Sequence, residues 1–375
     1  MKSKILILGA GFGGLELSTL LSEALGESAD VTLIDKNDGF MFGFSKLDVM
    51  FGHADATSVR MPYEKFIKQG VRFRQETITA IDPAARRVTT DVSVYDADHL
   101  VVALGAEYDF AATPGLSDVN EFYSMAGAMK LRDILPRFTR GRVLIGVCGA
   151  PFKCPPAPSE CALMLHDYLE QRGVRQACEI SMVLPLSAPV PPSPETSKAL
   201  IAAFAERNIA FQASKRIASI DAKRGVATLD DGVEMSFDLF LGVPKHRVPQ
   251  VVLDSGLAQD GWIPVKPRTL ETRFESVYAV GDGANTGTPK AGVFAERAAK
   301  AVASALIAKV RGGTATEYDG FGTCYIEFGG GRIGKVEVDF FSGPKPTGTY
   351  HEPSTELRAD KEEFGSSRRG RWFGM

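Results

Sequence analysis

The stretch GAPFKCPPAPSEC, residues 149–161, sets a cysteine after a lysine, among prolines, with a glutamate shortly beyond it. Only a thiolate is a competent sulfur nucleophile, and a loop opening a helix beside Lys153 is a place where a cysteine pKa falls. Glu160, in the first helical turns, is placed to relay protons or to complement the helix dipole. The chain has five cysteines, Cys148, Cys154, Cys161, Cys178 and Cys324, and none form a metal-type CxxC pair. Cys148, Cys161 and Cys178 sit at strand and helix positions where cysteine acts as a small buried hydrophobe.

A second chemistry opens the chain. KILILGAGFGGLELSTLLSEAL is an apolar strand, a glycine turn and an amphipathic helix, with Gly9, Gly11 and Gly14 in GxGxxG spacing. The first glycine allows the turn, the second lets backbone approach a pyrophosphate, and the third lets helix pack on strand. The helix N-terminus then faces the phosphates. A second strand, VTLID, ends in Asp35, where a carboxylate accepts ribose hydroxyls. The pattern predicts a dinucleotide site.

Two later segments choose the dinucleotide. DHLVVALGAEYDF runs from a buried strand into Ala103, Leu104 and Gly105, and ESVYAVGDGAN ends a strand at Gly281 and Asp282. These resemble the paired FAD signatures of flavoproteins with two dinucleotide-binding domains. The resemblance implies FAD, held by Gly9, Gly11, Phe12, Gly14, Asp35, Lys36, Ala103, Gly105, Gly281, Asp282 and Lys290. Asp282 would hold the ribityl chain, or cap a helix. Lys290, before the helix in PKAGVFAERAAKAVASALIAKV, would stabilise negative charge on reduced flavin, or stand as a solvated lysine beside a proline turn.

These positions require a discontinuous architecture. The fold class is α/β: two Rossmann-like, glutathione-reductase-like domains with a small C-terminal α+β segment. Residues 1–110 with 239–317 form the FAD-binding domain, residues 111–238 a second Rossmann-like domain, and residues 318–375 a C-terminal domain. The βαβ order of the inserted segment argues for a parallel sheet with crossover helices. After RVLIGVC, however, the second domain lacks GxGxxG, and Pro151, Pro155, Pro156 and Pro158 remove backbone donors that would hold phosphates. Its nicotinamide site is degenerate. The segment DKNDGFMFGFSKLDVMFG also lacks the CxxxxC pair of disulfide reductases.

FKCPPAPSE together with TCYIEFGGG resembles the sulfide:quinone oxidoreductases and, more closely at FKCPPAP, the flavoprotein subunit of flavocytochrome c sulfide dehydrogenase. The similarity extends over nearly the whole chain. It implies that Cys154 and Cys324 form the redox pair over the flavin and that Glu160 is the loop glutamate. Sulfide, or a related small sulfur species, would attack a disulfide or polysulfide bridge, leaving a persulfide and a thiolate. Electrons would then pass to FAD and on to a quinone or another acceptor. His246 and Arg247 fall where the family has a loop near the flavin.

The chain departs from that family twice. FYSMAGAMKL stands where a third cysteine and a histidine are usual, and RADKEEFGSSRRGRWFGM stands where quinone reductases have long membrane-dipping helices. Trp372 and Phe373 beside Arg368, Arg369 and Arg371 suit either an anionic membrane surface or a terminus packed on the body.

Composition limits the alternatives. With 375 residues, 44% apolar, 24% charged and a net charge of -3, the chain is an ordinary globular protein without the basic excess that nucleic acid demands. The first apolar run is too short for an export signal, and no run reaches the roughly 18 residues of a membrane span. The expectation is a cytoplasmic enzyme with at most peripheral contact at the membrane face, and a homodimer is compatible with it. Two competing readings stand: a type II NADH dehydrogenase-like flavoenzyme with incidental cysteines, and a flavin-binding redox sensor without turnover.

Overall fold

The computed structural model describes residues 2–375. The first apolar run forms the strand Ser3–Leu8, with its last four residues buried, as a strand covered on both faces requires. It centres a five-stranded parallel sheet in the order Val277–Ala279, His99–Val102, Ser3–Leu8, Ala29–Asp35, Val71–Gln75. A second parallel sheet repeats the plan in the order Ile209–Ala213, Cys178–Leu184, Gly141–Val147, Leu239–Val243. In each unit a three-stranded antiparallel sheet intervenes before the returning strand: residues 78–96 in the first and 217–236 in the second. This is the α/β class read from the sequence.

One expected boundary moves. The sequence reading gives residues 239–243 to the FAD-binding domain, but Leu239–Val243 pairs with Gly141–Val147 in the second sheet. LFLGV is buried throughout and would suit the middle of either sheet, so tertiary pairing decides its place.

Helices Phe12–Leu25 and Gly292–Arg311 pack together over the first sheet. Ala298, Ala299, Val302 and Leu306 fall at helical spacing and are buried. Each fully buried Leu in this layer, such as Leu15, Leu17 and Leu306, contributes about 2 kcal/mol through apolar burial. One apolar cluster runs from Ile5 and Leu15 through Val143 and Ile145 to Phe328 and Trp372, so the units share a core.

The C-terminal part is an antiparallel sheet of Phe321–Glu327, Ile333–Asp339 and Thr347–Ser354, followed by the helix Leu357–Phe373. Of the two readings of the terminal RRGRWF stretch, a membrane surface or a terminus packed on the body, the structure shows the packed one. The helix runs to Phe373, and its end is locked onto the first domain. Trp372 Nε1 donates to Glu16 Oε2 at 2.8 Å, and Arg371 pairs with Glu16 at 3.1 Å and Glu23 at 2.8 Å. Arg368 pairs with Glu296 at 2.9 Å, and Phe373 packs against Phe40, Tyr63 and Phe66. Both aromatic residues are buried and therefore turned away from any membrane. Among the described residues, no helix is long and apolar enough to cross a membrane, and no cluster of His, Cys, Asp or Glu is arranged to hold a metal.

Candidate active site

A cavity of about 580 Å³ runs from the glycine turn of the first strand to the two cysteines, within the size range of a large cofactor pocket. Its first end is shaped by backbone. Gly9 has φ +100°, and a Cβ there would meet the Ala103 carbonyl oxygen at 2.4 Å; a Cβ on Gly14 would meet the Gly9 oxygen at 1.9 Å. Gly11 has open space before it. The amide of Ala10 donates to Asp35 Oδ2 at 2.8 Å, which fixes the carboxylate at the cavity edge.

Of the expected cofactor residues, Gly9, Gly11, Phe12, Asp35, Ala103, Gly105, Gly281, Asp282 and Lys290 line this cavity. Gly14 lies behind it as a packing residue. Lys36 departs from expectation: it is exposed and faces Glu107 at 3.8 Å, because the residue after Asp35 points to the opposite side of the strand end.

Asp282 is the sharpest test of whether FAD fits. Its Oδ1 is buried with no hydrogen-bond partner, in a protein where nearly all such atoms are paired. Burial raises its pKa, opposed by Lys153, Lys290 and Lys46. A ribityl hydroxyl would satisfy that oxygen, and the open glycine cradle suits a pyrophosphate. The residues fit the group. Lys290 is buried at the same wall, with Nζ donating to the carbonyls of Asp282 at 2.7 Å and Ala284 at 3.3 Å and lying 3.6 Å from the Trp262 ring centroid. Burial lowers its pKa to about 8.

At the far end the structure brings Cys154, Cys324 and Glu160 to one wall. Cys154 has φ +49°, a strained region for a residue with a Cβ, and hydrogen bonds hold it there. Its amide donates to the Lys290 carbonyl at 2.8 Å and its carbonyl accepts from Ala157 at 2.9 Å. Cys324 sits mid-strand in Phe321–Glu327. All five cysteines are thiols, and Cys148, Cys161 and Cys178 are buried core residues.

The expected low thiol pKa is not what the structure gives. Burial pushes Cys154 well above its ordinary value, with Glu160 and Cys324 adding to the rise, and burial with Glu160 pushes Cys324 up to about 12. Lys153 does not counter this, because its Nζ turns away to the Ala106 carbonyl at 3.1 Å and the Tyr108 ring at 4.2 Å.

Glu160 is 3% exposed, and burial raises its pKa to about 7 despite Lys361 and the Glu327 amide. That amide donates to Glu160 Oε1 at 3.1 Å. Lys361 Nζ binds Glu327 Oε1 at 2.5 Å, and burial raises the pKa of nearby Asp48. Burial works against the charge of Lys361, but the carboxylates of Glu160, Glu327 and Asp48 outweigh it and hold the ammonium protonated.

Sequence reasoning missed several lining residues. Phe122 and Tyr123, from the stretch remarked only for lacking cysteine and histidine, face the cavity, and the Tyr123 hydroxyl donates to the Cys154 carbonyl at 3.4 Å. Lys361 and Phe364 arrive on the C-terminal helix and Lys46 on the helix Ser45–Met50. His246 is buried behind the wall, Nδ1 against the Pro244 carbonyl at 2.8 Å, and burial drives its pKa down to about 3. Arg247 pairs with Asp109 at 3.3 Å.

Two parallel sheets of the mononucleotide-binding kind, with a glycine cradle opening on a large cavity, place the chain among the dinucleotide-binding oxidoreductases. The chain belongs to the pyridine nucleotide-disulphide oxidoreductase family, whose model matches residues 3–305, and its cofactor is FAD. It is similar to the mitochondrial sulfide:quinone oxidoreductase of Mus musculus, 23% identical over 397 residues that cover 99% of this chain and 87% of that protein. It is also 36% identical to the type II NADH:quinone oxidoreductase of Staphylococcus aureus over 119 residues, 31% of this chain and 30% of that one. The solved sulfide:quinone oxidoreductase of Aquifex aeolicus superposes with a TM-score of 0.84 at 22% identity, covering 98% of this chain and 91% of that one.

Proposed function

We propose that the protein oxidises sulfide, or a closely related small sulfur species, at Cys154 and Cys324 and passes the electrons through FAD to a quinone-type acceptor. One observation carries the reading: two cysteines from separate domains line one cavity, with a carboxyl group titrating near neutrality close enough for its charge to act on both. Two half-buried cysteines and a buried glutamate from separate elements meeting at the end of a cofactor pocket make a candidate reactive site.

The residues suggest the steps. Hydrosulfide attacks the bridged sulfur pair; the bond between the cysteine sulfurs breaks, one cysteine becomes a persulfide and the other leaves as thiolate. Glu160 takes the proton that sulfide must lose and, at a pKa of about 7, can give it up again. Burial keeps both thiols protonated until such a base acts, which protects them from stray oxidation. FAD, when bound, supplies the two-electron acceptor: once the persulfide sulfur has left on a second hydrosulfide as polysulfide, the two cysteine sulfurs lose two electrons and close the bridge again, as the thiol pair of this structure must before a first turnover.

The acceptor end favours a planar ring. Tyr325 and Phe364 lie 6.2 Å apart by centroid, Phe364 faces Phe12 at 6.4 Å, and Lys361 crosses Phe44 at 5.5 Å. Aromatic walls beside Lys361 and Glu160 offer stacking and protons together, which a quinone needs.

The competing NADH reading rests on sequence similarity over about a third of the chain. Against it stands the helix Ala157–Gln171, which begins behind Pro155 and Pro156, has Pro158 in its first turn and buries Glu160 at its start. Missing amides and a carboxylate repel a pyrophosphate. Anaerobic rapid mixing of the holoenzyme with sulfide and, separately, NADH tests the choice: flavin absorbance bleaches with sulfide, and bleaching by NADH alone would sink the reading.

A further inference from the structure

A second depression of about 380 Å³ opens against the cofactor cavity and shares with it Val293, Thr323, Tyr325 and Phe364. It is therefore the outer end of the aromatic slot beside Cys324. Its walls are polar: Glu296, Lys300, Lys335, Asp360, Glu363 and Ser367. Several of these charges are paired. Glu296 takes Lys300 at 3.1 Å and Arg368 at 2.9 Å, while Lys335 meets Glu337 at 3.4 Å. The charges along the groove are thus largely balanced by ion pairs.

The helix that forms its rim is polar outward. Arg358, Asp360, Glu362, Glu363, Ser366 and Ser367 are exposed, whereas Phe364 faces the cavity and Trp372 and Phe373 are buried. A helix that lies in a lipid interface presents the opposite pattern, with bulky apolar side chains toward the bilayer. Beyond the ring-sized apolar stretch of Val293, Tyr325 and Phe364, an apolar tail would lie against the charged groups of Glu296, Lys300, Lys335, Asp360 and Glu363 and strip water from them.

We infer that the electron acceptor enters this groove from water, as a small polar quinone without an isoprenoid tail rather than one delivered from a bilayer. The inference rests on the sulfide-to-quinone reading above and specifies its acceptor. The quinone takes two electrons, which originate with sulfide and arrive through FAD, and two protons, and leaves as the hydroquinone.

The test compares dimethoxy-methyl-benzoquinone lacking a side chain with its decyl analogue, the latter in phosphatidylcholine–phosphatidylglycerol vesicles. Holoenzyme reduced by dithionite is reoxidised by each, so the acceptor is judged whatever the natural donor. If sulfide fails to bleach the flavin, the earlier reading falls while this arm still reports. The expected result is a kcat/KM for the tail-less quinone at least equal to that for the decyl analogue, with the enzyme left in the supernatant when vesicles are pelleted. Ser367→Trp, an exposed position on the groove wall, should raise the KM for the tail-less quinone about tenfold and leave sulfide bleaching unchanged. A tenfold or greater preference for the decyl analogue, pelleting with vesicles, or an unaltered KM in a folded Ser367→Trp protein would overturn it.

Discussion

The amide of Glu327 donates to the Glu160 carboxylate across 3.1 Å, and this bond ties the strand of Cys324 to the helix that follows Cys154. The carboxylate is thus both a clamp between the two cysteine-bearing elements and a titrating group beside their sulfurs. The two roles separate by substitution. Glu160→Gln keeps an oxygen to accept from Glu327 and removes the titration. Referred to the hydrosulfide concentration at each pH, because dissolved sulfide itself ionises near neutrality, the wild-type rate of bleaching should rise through an inflection near 7 as the carboxylate deprotonates to become the base. In Glu160→Gln that inflection should vanish and the rate should fall by about 100-fold, with thermal stability close to wild type. Stopped-flow traces across pH decide it; an unchanged inflection would assign the pH dependence to another group.

Each cysteine of the pair carries its own prediction. Cys154→Ser and Cys324→Ser should each slow sulfide bleaching on the order of a thousandfold, and the double variant should be little slower than either single one, since residues that act as a unit are not additive. Reduction by dithionite should remain intact in all three, because it bypasses the thiols. Replacement of Cys161, a buried helix residue, should cost stability and leave bleaching near wild type. A redox sensor without turnover predicts slow bleaching in every case, wild type included.

Lys361 acts on the site through Glu160 and Glu327. Its charge holds the pKa of Glu160 down, so Lys361→Met should move the bleaching inflection to higher pH. The variant also leaves Glu327 largely buried without its partner, a loss of about 3 kcal/mol. Denaturant midpoints measure that loss, and the pH profile separates it from a merely structural role: destabilisation alone lowers yield without displacing an inflection.

What the sequence made legible follows from how local each feature is. Gly9, Gly11 and Gly14 act within one strand–turn–helix unit, so spacing alone predicted the cradle; Asp35 ends a plainly apolar strand, and Asp282 lies in the turn just after another. Cys324 became legible through family pattern, since nothing near TCYIEF itself points to residue 154. Lys361 and Phe364 were invisible because a polar helix gives no sign of the cavity it will cover. The thiol pKa values went the wrong way for a related reason: Lys153 lies next to Cys154 in sequence, yet burial by distant elements outweighs a neighbour whose ammonium turns away. Leu239–Val243 was misassigned because an all-apolar strand does not name its sheet.

The lock at the end of the C-terminal helix gives the last test. Glu16 is 2% exposed, and its carboxylate accepts from Arg371 and from the Trp372 indole. Arg371→Ala leaves that buried charge with the indole and little else, and should cost about 3 kcal/mol. The cost falls on the helix, because Arg371 holds its last turn to the first domain while Arg368 holds the turn before it. Limited proteolysis should therefore cut first within residues 357–375, before global unfolding. Lys361 and Phe364 ride on the same helix, so loosening it should raise the KM for the acceptor and, through Lys361, move the pH inflection of sulfide bleaching upward as Lys361→Met does. Adding Glu16→Gln to Arg371→Ala removes the uncompensated charge and should restore part of the stability, an amide being able to keep the bond from Trp372 Nε1. Recovery in the double variant would show that the buried charge, rather than lost packing of the arginine stem, is what loosens the helix.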